Sequence, residues 1–259
     1  MQRIVVANQK GGVGKTTSAV NVAASLGSQG LRVLAVDCDA QFALTRQLGV
    51  HSPEFSLVEV LQGTCEPESA LVAVGALQVL PARRELAEIE QALWQQSGRE
   101  WFLDQALDAL VDRFDVAVID TPPSLGQLTI NALATAHLVL VPVSLEDEGA
   151  AQGLVELQAR IGELSRVRKL AGRPERPEVV AFLNKSATRS GSREGRIAAQ
   201  EIQHALEGLG VRVADARVPS RASVHQAAMY REPVVLREPD GLVARAFAQL
   251  SKDVLEEAA

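Results

Sequence analysis

The chain has 259 residues, 47% of them apolar, enough for one large α/β domain or two small ones with a real core. Its longest apolar runs, such as IVVA and LVLVPV, are strand-length and far short of the roughly 20 residues that span a bilayer. The net charge of −6 argues against a polyanionic partner, but the charge is uneven: residues 160–231 carry 14 Lys/Arg against 7 Asp/Glu, whereas residues 1–159 carry 9 against 19. In chain order, RIVVAN (3–8) reads as a buried strand, followed by a glycine loop and a helix over 15–28. RVLAVD (32–37) is a second strand. Residues 55–112 read as mostly helical, interrupted by LQVLPA (77–82). DVAVID (115–120) and HLVLVPV (137–143) are strands, with a helix in LTINALATA between them and another around 149–168. EVVAFLNK is a strand, 192–209 a helix, VRVADARVP carries a short strand, and helices follow near 222–230 and 240–257. Strands this apolar are buried on both faces, as in parallel sheets. Alternation with helices predicts a single-domain, doubly wound, mainly parallel α/β sheet flanked by helices over 1–259. Cys38 and Cys65 form no CxxC pair and fit a reducing cytosol; the N-terminus lacks the shape of a signal peptide. The four histidines are scattered, so a metal site built by protein ligands alone is not expected.

The strongest motif is NQKGGVGKTT (8–17), set between the first strand and the first helix. Gly11, Gly12 and Gly14 let backbone N–H groups turn toward phosphate oxygens, with Val13 and Thr17 contributing backbone to the same cradle. The helix N-terminus adds partial positive charge. Lys15 is placed to meet the β- and γ-phosphates, and the Thr16 hydroxyl to ligate Mg²⁺. A plain glycine-rich turn is the bland alternative, and the flanking strand and helix disfavour it. The loop departs from the usual pattern at its first position, where Gln9 replaces glycine, and it carries a second lysine, Lys10.

Two further segments end strands in carboxylates, where ligands sit in open α/β sheets. VLAVDCDAQ supplies Asp37 and Asp39, and VAVIDTPPS supplies Asp120. Asp120 is read as the residue holding Mg²⁺ through its waters, and Asp37 as support for the Mg²⁺ and Thr16 shell. A helix N-cap is the competing use of an aspartate after a strand.

The loop KGGVGKTT, with DCDAQ, IDTPPSLGQLTINAL, LVPV, PARRELAEIEQAL and REPVVLREPDG, resembles the ParA/Soj-type DNA-partition ATPases of the ParA/MinD superfamily over nearly the whole chain. The resemblance implies a P-loop NTPase fold with a deviant Walker A loop, ATP and Mg²⁺ as cofactors, and an ATP-sandwich homodimer. It implies that Lys10 reaches the phosphates of the partner subunit's ATP, and that Asp39 positions or activates the attacking water. It places Asn184 (in LNK) and Pro219 (in VPS) beside the adenine. It further implies non-specific double-stranded DNA binding in the ATP state, a ParB-like activator, weak basal hydrolysis, and chromosome or plasmid segregation in a cytoplasmic, nucleoid-associated setting. Arg189 aligns with a family DNA-contacting arginine; Arg221 lies near a second, two positions out of register; Arg193, Arg196 and Arg217 are further candidates. No aromatic residues interleave these arginines, which disfavours single-strand stacking.

This sequence also departs from the family. DPQGNAT is usual where Asp39-Ala40-Gln41-Phe42-Ala43-Leu44-Thr45 stands here, and EYYALEG is replaced by EDEGAAQG (146–153). Two other functions stay open: positioning a protein cluster or organelle, which nothing in the sequence excludes, and, because of the altered Asp39 loop, an ATP-locked DNA-binding scaffold with little hydrolysis. A membrane-cycling regulator is disfavoured because the tail FAQLSKDVLEEAA ends acidic rather than basic.

Overall fold

A computed structural model describes residues 1–144, 150–174, 176–186 and 193–256. Among them lie strands β1 (Gln2–Val6), β2 (Val33–Asp37), β3 (Val72–Val74), β4 (Leu77–Leu80), β5 (Val116–Asp120), β6 (Leu138–Ser144), β7 (Glu178–Ser186) and β8 (Arg212–Pro219). The helices are α1 (Lys15–Ser28), α2 (Ala43–Gln47), α3 (Leu57–Gln62), α4 (Leu86–Leu93), α5 (Phe102–Asp108), α6 (Gln127–Thr135), α7 (Ala150–Leu170), α8 (Arg193–Gly208), α9 (Ala222–Tyr230), α10 (Val234–Arg237) and α11 (Leu242–Glu256), with a 3₁₀ turn at Pro67–Ala70. The strands form one sheet in the order β3-β4-β2-β5-β1-β6-β7-β8. All pairs are parallel except β3 with β4.

The strands are apolar at nearly every position because helices cover both faces. Along β1, Ile4 and Val6 enter one core layer while Val5 enters the other. In β5, Val116 and Val118 face the first layer, and Ala117 and Ile119 the second. The first layer holds α1, α10 and α11, whose Leu26, Val234 and Phe247 are buried there. The second holds α3 to α7. Ala, Val and Leu do most of the filling, as the 3% aromatic content requires.

The expected α/β class is what the chain adopts. Three elements differ from the sequence reading. Val72–Val74 forms an antiparallel edge strand inside the stretch read as helical, closed against β4 by a turn at Gly75, whose φ is +55°. The short strand expected in 211–219 runs for 8 residues. Helix α2, which the sequence did not announce, follows the second aspartate motif.

Beneath the edge between β1 and β6, polar groups replace apolar packing. Arg3 is 1% exposed. Its guanidinium pairs with Asp104 at 2.6 Å and with Asp108, and Arg173 reaches the same two carboxylates at 2.9 and 2.8 Å. Arg168, also 1% exposed, donates to the carbonyls of Leu133, Ala134 and Ala136 at the end of α6, which satisfies orphan acceptors there. His137 immediately precedes β6, and its Nδ1 accepts the Arg3 N–H at 3.0 Å, which requires that nitrogen to be unprotonated. Burial, helped by the nearby Arg3, Arg173 and Arg168 charges, pushes this histidine from 6.5 down to about 4.

A depressed folded-state pKa means the stability is present above the unfolded value and is lost as pH falls. Between pH 6.5 and about 4 the wild type should lose on the order of 2 kcal/mol through His137. His137→Asn, which keeps a neutral acceptor, should lose less over that window, and urea denaturation across it checks the difference.

Candidate nucleotide site

β1 lies in the sheet where the strand order turns back, with β5 on one side and β6 on the other. Open α/β sheets bind ligands beyond the strand C-termini at such a point. The Ala7 N–H donates to Leu140 O at 3.1 Å, and the Thr121 hydroxyl to Val6 O at 2.8 Å, so three strand ends are tied together there.

The loop after β1 is held by its own polar groups. Asn8 Nδ2 donates to Pro142 O at 2.9 Å, and Asn8 Oδ1 accepts the Lys10 N–H at 3.0 Å. Lys15 Nζ donates to Lys10 O at 3.1 Å. The Lys10 backbone is thus gripped from both sides while its side chain is exposed. Gly12 and Gly14 have φ of +77° and +94°, a region that costs most side chains energy. A Cβ on Gly14 would also lie 2.4 Å from Asn184 Nδ2. Gly14 precedes α1 with no side-chain cap, and the first turn has no acidic residue. The helix therefore presents uncapped N–H groups with no protein anion beside them, which fits a phosphate.

Three carboxylates stand near Lys15. Asp37 and Asp120 are direct neighbours across β2 and β5, and both are 0% exposed. Neither Asp120 oxygen meets hydrogen-bond geometry with a protein donor among the described residues. Burial, then repulsion from Asp37, drives the Asp120 carboxyl well above the usual range, and Thr16 lies near enough to pull it back only in part. Burial raises Asp37 to about 6. Lys15 is pulled down by its own burial and up by Asp120 and Asp39. A buried carboxylate without a partner, beside a second carboxylate and Thr16, is a donor set for a hard divalent cation. Among the described residues no cluster of three His, Cys, Asp or Glu forms a closed metal shell. Phosphate oxygens and waters must complete any coordination, and the residues present fit Mg²⁺ bound with a nucleotide.

Asp37 has other work as well. Its Oδ1 accepts the Asp39 N–H at 3.1 Å, and its Oδ2 accepts both the backbone N–H and the hydroxyl of Thr45, at 2.8 and 2.7 Å. Thr45 Oγ1 in turn accepts from Ala82 N at 2.9 Å. Asp37 thereby fastens the loop that carries Asp39, and its oxygens are occupied in doing so. Nothing in the sequence pattern singles out Thr45 or Asn8 for these roles, apart from Asn8 being the polar residue that ends the apolar run IVVA.

A cavity of about 440 Å³ opens above these groups. Gly11, Gly12, Gly14, Lys15, Thr16, Thr17, Asp39, Asn184 and Pro219 line it, so the expected phosphate and base residues are brought together. Val13 sits behind them at 2% exposure. The end near Pro219 is lined by Val218, Val224, Ala228 and Phe247, an apolar slot for a flat ring. Asn184 is committed in part: its Nδ2 donates to Val13 O at 2.7 Å and its Oδ1 accepts Lys185 N–H at 2.9 Å. Arg221, expected at a DNA face, is exposed and also lines this cavity, together with Lys185 and His225. Arg217 is exposed on β8. Arg193 and Arg196 belong to α8, and Arg189 lies outside the described residues. Most of EDEGAAQG falls there too, or at the start of α7.

A family model described as an AAA domain (AAA_31) matches residues 1–171. The chromosome-partitioning ATPase Soj of Thermus thermophilus is 35% identical over 259 residues, spanning 98% of this chain and 96% of that one. The chromosome partitioning protein ParA of Caulobacter vibrioides is 33% identical over 259 residues, spanning 97% and 93%. Among solved structures, a cobyrinic acid a,c-diamide synthase from Mycobacterium smegmatis with bound ADP and magnesium superposes with a TM-score of 0.82 at 33% identity, covering 98% of this chain and 94% of that one.

Removing the buried charge tests the cation site. Asp120→Asn, which relieves the repulsion from Asp37, should raise the nucleotide-free melting temperature. It should also abolish the extra stabilisation that Mg²⁺ adds to ADP. Thermal denaturation with ADP, with and without Mg²⁺, reads both effects.

Proposed function

The chain belongs to the ParA/Soj family of ATPases, and from that membership we propose that it is a nucleotide-driven DNA-partition switch. In its ATP state it forms a sandwich dimer and binds duplex DNA without sequence preference. A ParB-like partner then stimulates hydrolysis and release, and the cycle moves a chromosome or plasmid origin. The observation that carries this reading is Lys10: an exposed cation whose backbone is held by Asn8 and Lys15, directly ahead of the glycines that line the nucleotide cavity. A second lysine held so rigidly beside a loop that already has Lys15 is suited to a second nucleotide, that of a facing subunit.

Bound Mg²⁺-ATP supplies the phosphoryl group to be transferred. Lys15, with the N–H groups of Gly12, Gly14 and α1, holds the phosphates, with Gly11, Val13 and Thr17 completing the cradle. Thr16 and Asp120 hold the metal, and Asp37 supports them while fixing the Asp39 loop. Asp39, lining the cavity, orients the attacking water. Pro219 and Asn184 flank the base. Lys10 completes the site only across the dimer, so a lone subunit turns over slowly and waits for partner and activator. Arg189, Arg193, Arg196 and Arg217 supply phosphate contacts to DNA, and Arg221, first expected among them, lines the nucleotide cavity instead.

Two substitutions separate binding from assembly. Lys15→Ala should weaken ATP binding by about 100-fold or more, because it removes the buried cation from the phosphates. Lys10→Ala should bind ATP normally and fail to dimerise; dimers formed with ATP, seen by light scattering, would remove the role in trans.

The proposed switch is tested by titrating random-sequence duplex DNA with no nucleotide, ADP or ATP over a salt series. Binding should require ATP and fall linearly with log salt, and Arg189→Ala should abolish it. Absence of binding in every nucleotide state would overturn the DNA part and leave the ATPase reading in place.

A further inference from the structure

The residue ahead of α2, beside the nucleotide site, stands in a backbone conformation that bulky side chains avoid. Phe42 has φ 44° and ψ 42°, the left-handed region. A bulky side chain rarely adopts it, and such outliers persist only where surrounding contacts impose them. Here the contacts are visible. The Phe42 N–H donates to Asp39 O at 2.8 Å, and Gln41 N–H donates to Asp39 Oδ1 at 2.9 Å. The Arg46 N–H donates to Phe42 O at 3.1 Å, which starts α2. The Phe42 ring packs against the core layer that contains Cys38 and Val36, and the Arg46 guanidinium lies over the ring, 4.9 Å from its centroid. The ring is therefore held by a core contact and a cation, and these contacts hold the turn that closes over Asp39.

The neighbours of this turn face the nucleotide. Asp39 precedes it and lines the cavity, as do Ala43 and Gln47 from α2. Asp37 fastens both ends, through Asp39 N–H and Thr45. What Asp37 does not fix is the path between them, residues 40–44, and there the one large side chain with both a core contact and a stacked partner is Phe42.

We propose that Phe42 is a positioning residue for hydrolysis: its packed ring holds the left-handed turn that fixes the Asp39 carboxylate at the cavity. The inference rests on Asp39 orienting the attacking water. It concerns a place where this chain has phenylalanine and where glycine would adopt the same backbone without strain. A glycine there keeps the conformation accessible but gives up the anchor, so the turn becomes one of several the loop can visit.

That separates stability from catalysis. Phe42→Gly relieves backbone strain, so its melting temperature should fall far less than loss of a packed ring ordinarily produces. Its kcat should drop about tenfold while KM and the affinity for a non-hydrolysable ATP analogue stay within about twofold, the pattern of an interaction used only in the transition state. Phe42→Tyr keeps the ring and should keep kcat within about twofold, because ring packing and the Arg46 contact survive. Single-turnover hydrolysis with protein in excess, run beside Asp39→Ala, reads the hydrolytic step, while analogue titration and thermal denaturation read affinity and stability. Wild-type kcat in Phe42→Gly with a dead Asp39→Ala would overturn the role of Phe42 and spare that of Asp39. Wild-type turnover in Asp39→Ala would overturn both. A parallel loss of analogue affinity and kcat in Phe42→Gly would make the ring a binding element, and would equally overturn the proposal.

Discussion

Two carboxylates that face each other across β2 and β5, fully removed from water, set the terms for everything around them. Asp37 and Asp120 are in register because the strands are parallel neighbours, and both sit at C-terminal ends where the sheet opens. Burying two such groups side by side is unfavourable unless something compensates. The protein compensates them differently. Asp37 receives three donors and becomes a structural anchor. Asp120 receives none in hydrogen-bond geometry, and its imbalance is left for a ligand to resolve. The same low dielectric that makes this costly strengthens any cation placed there. A site built this way binds its metal and nucleotide together or poorly.

The second consequence is rigidity in a particular place. Lys15 is too buried to be indifferent to its surroundings, and it rests on the Lys10 carbonyl. Phosphate oxygens compete for the same ammonium group. In the proposed binding mode they would take it, and the Lys10 backbone would lose its hold from Lys15 and keep the one to Asn8. Nucleotide binding and the setting of the outer lysine are thus mechanically adjacent, with no intervening element to carry the change.

How much of this the sequence discloses depends on the range of the interactions. The phosphate loop and α1 are local: glycines, one strand and one helix over a short stretch, and the helix bounds expected from sequence, 15–28, are those found. The sheet strands are equally legible, since apolar runs of that length have few other uses. Helix α2 is not legible, because its five residues have no periodicity to speak of and are held by Asp37 from eight positions back. The strand at Val72–Val74 is three residues long and takes its hydrogen bonds from β4, so helical-looking neighbours outvote it. Asn184 illustrates the limit most clearly. The resemblance puts it beside the base, and it does line the cavity, but its amide is tied to Val13 O, 171 positions away. No one-dimensional pattern carries that pairing.

The basic stretch of 160–231 shows a related limit, and it bears on how a switch of the proposed kind would work. A count of charges treats every arginine as available. In the fold, Arg168 is consumed by the carbonyls of α6, Arg173 by Asp104 and Asp108, and Arg160 by Glu163. Arg221 is drawn to the nucleotide cavity. The positive face left to a polyanion is therefore smaller than the sequence suggests. A few phosphate contacts per subunit give weak, salt-sensitive attachment. Pairing two copies about a twofold axis sets two such faces on one duplex, and the second attachment becomes intramolecular, so affinity rises far more than additively. In the proposed switch a modest face would be an asset: too weak to hold DNA singly and strong enough to hold it doubly, it would place the control of DNA binding with whatever closes the dimer.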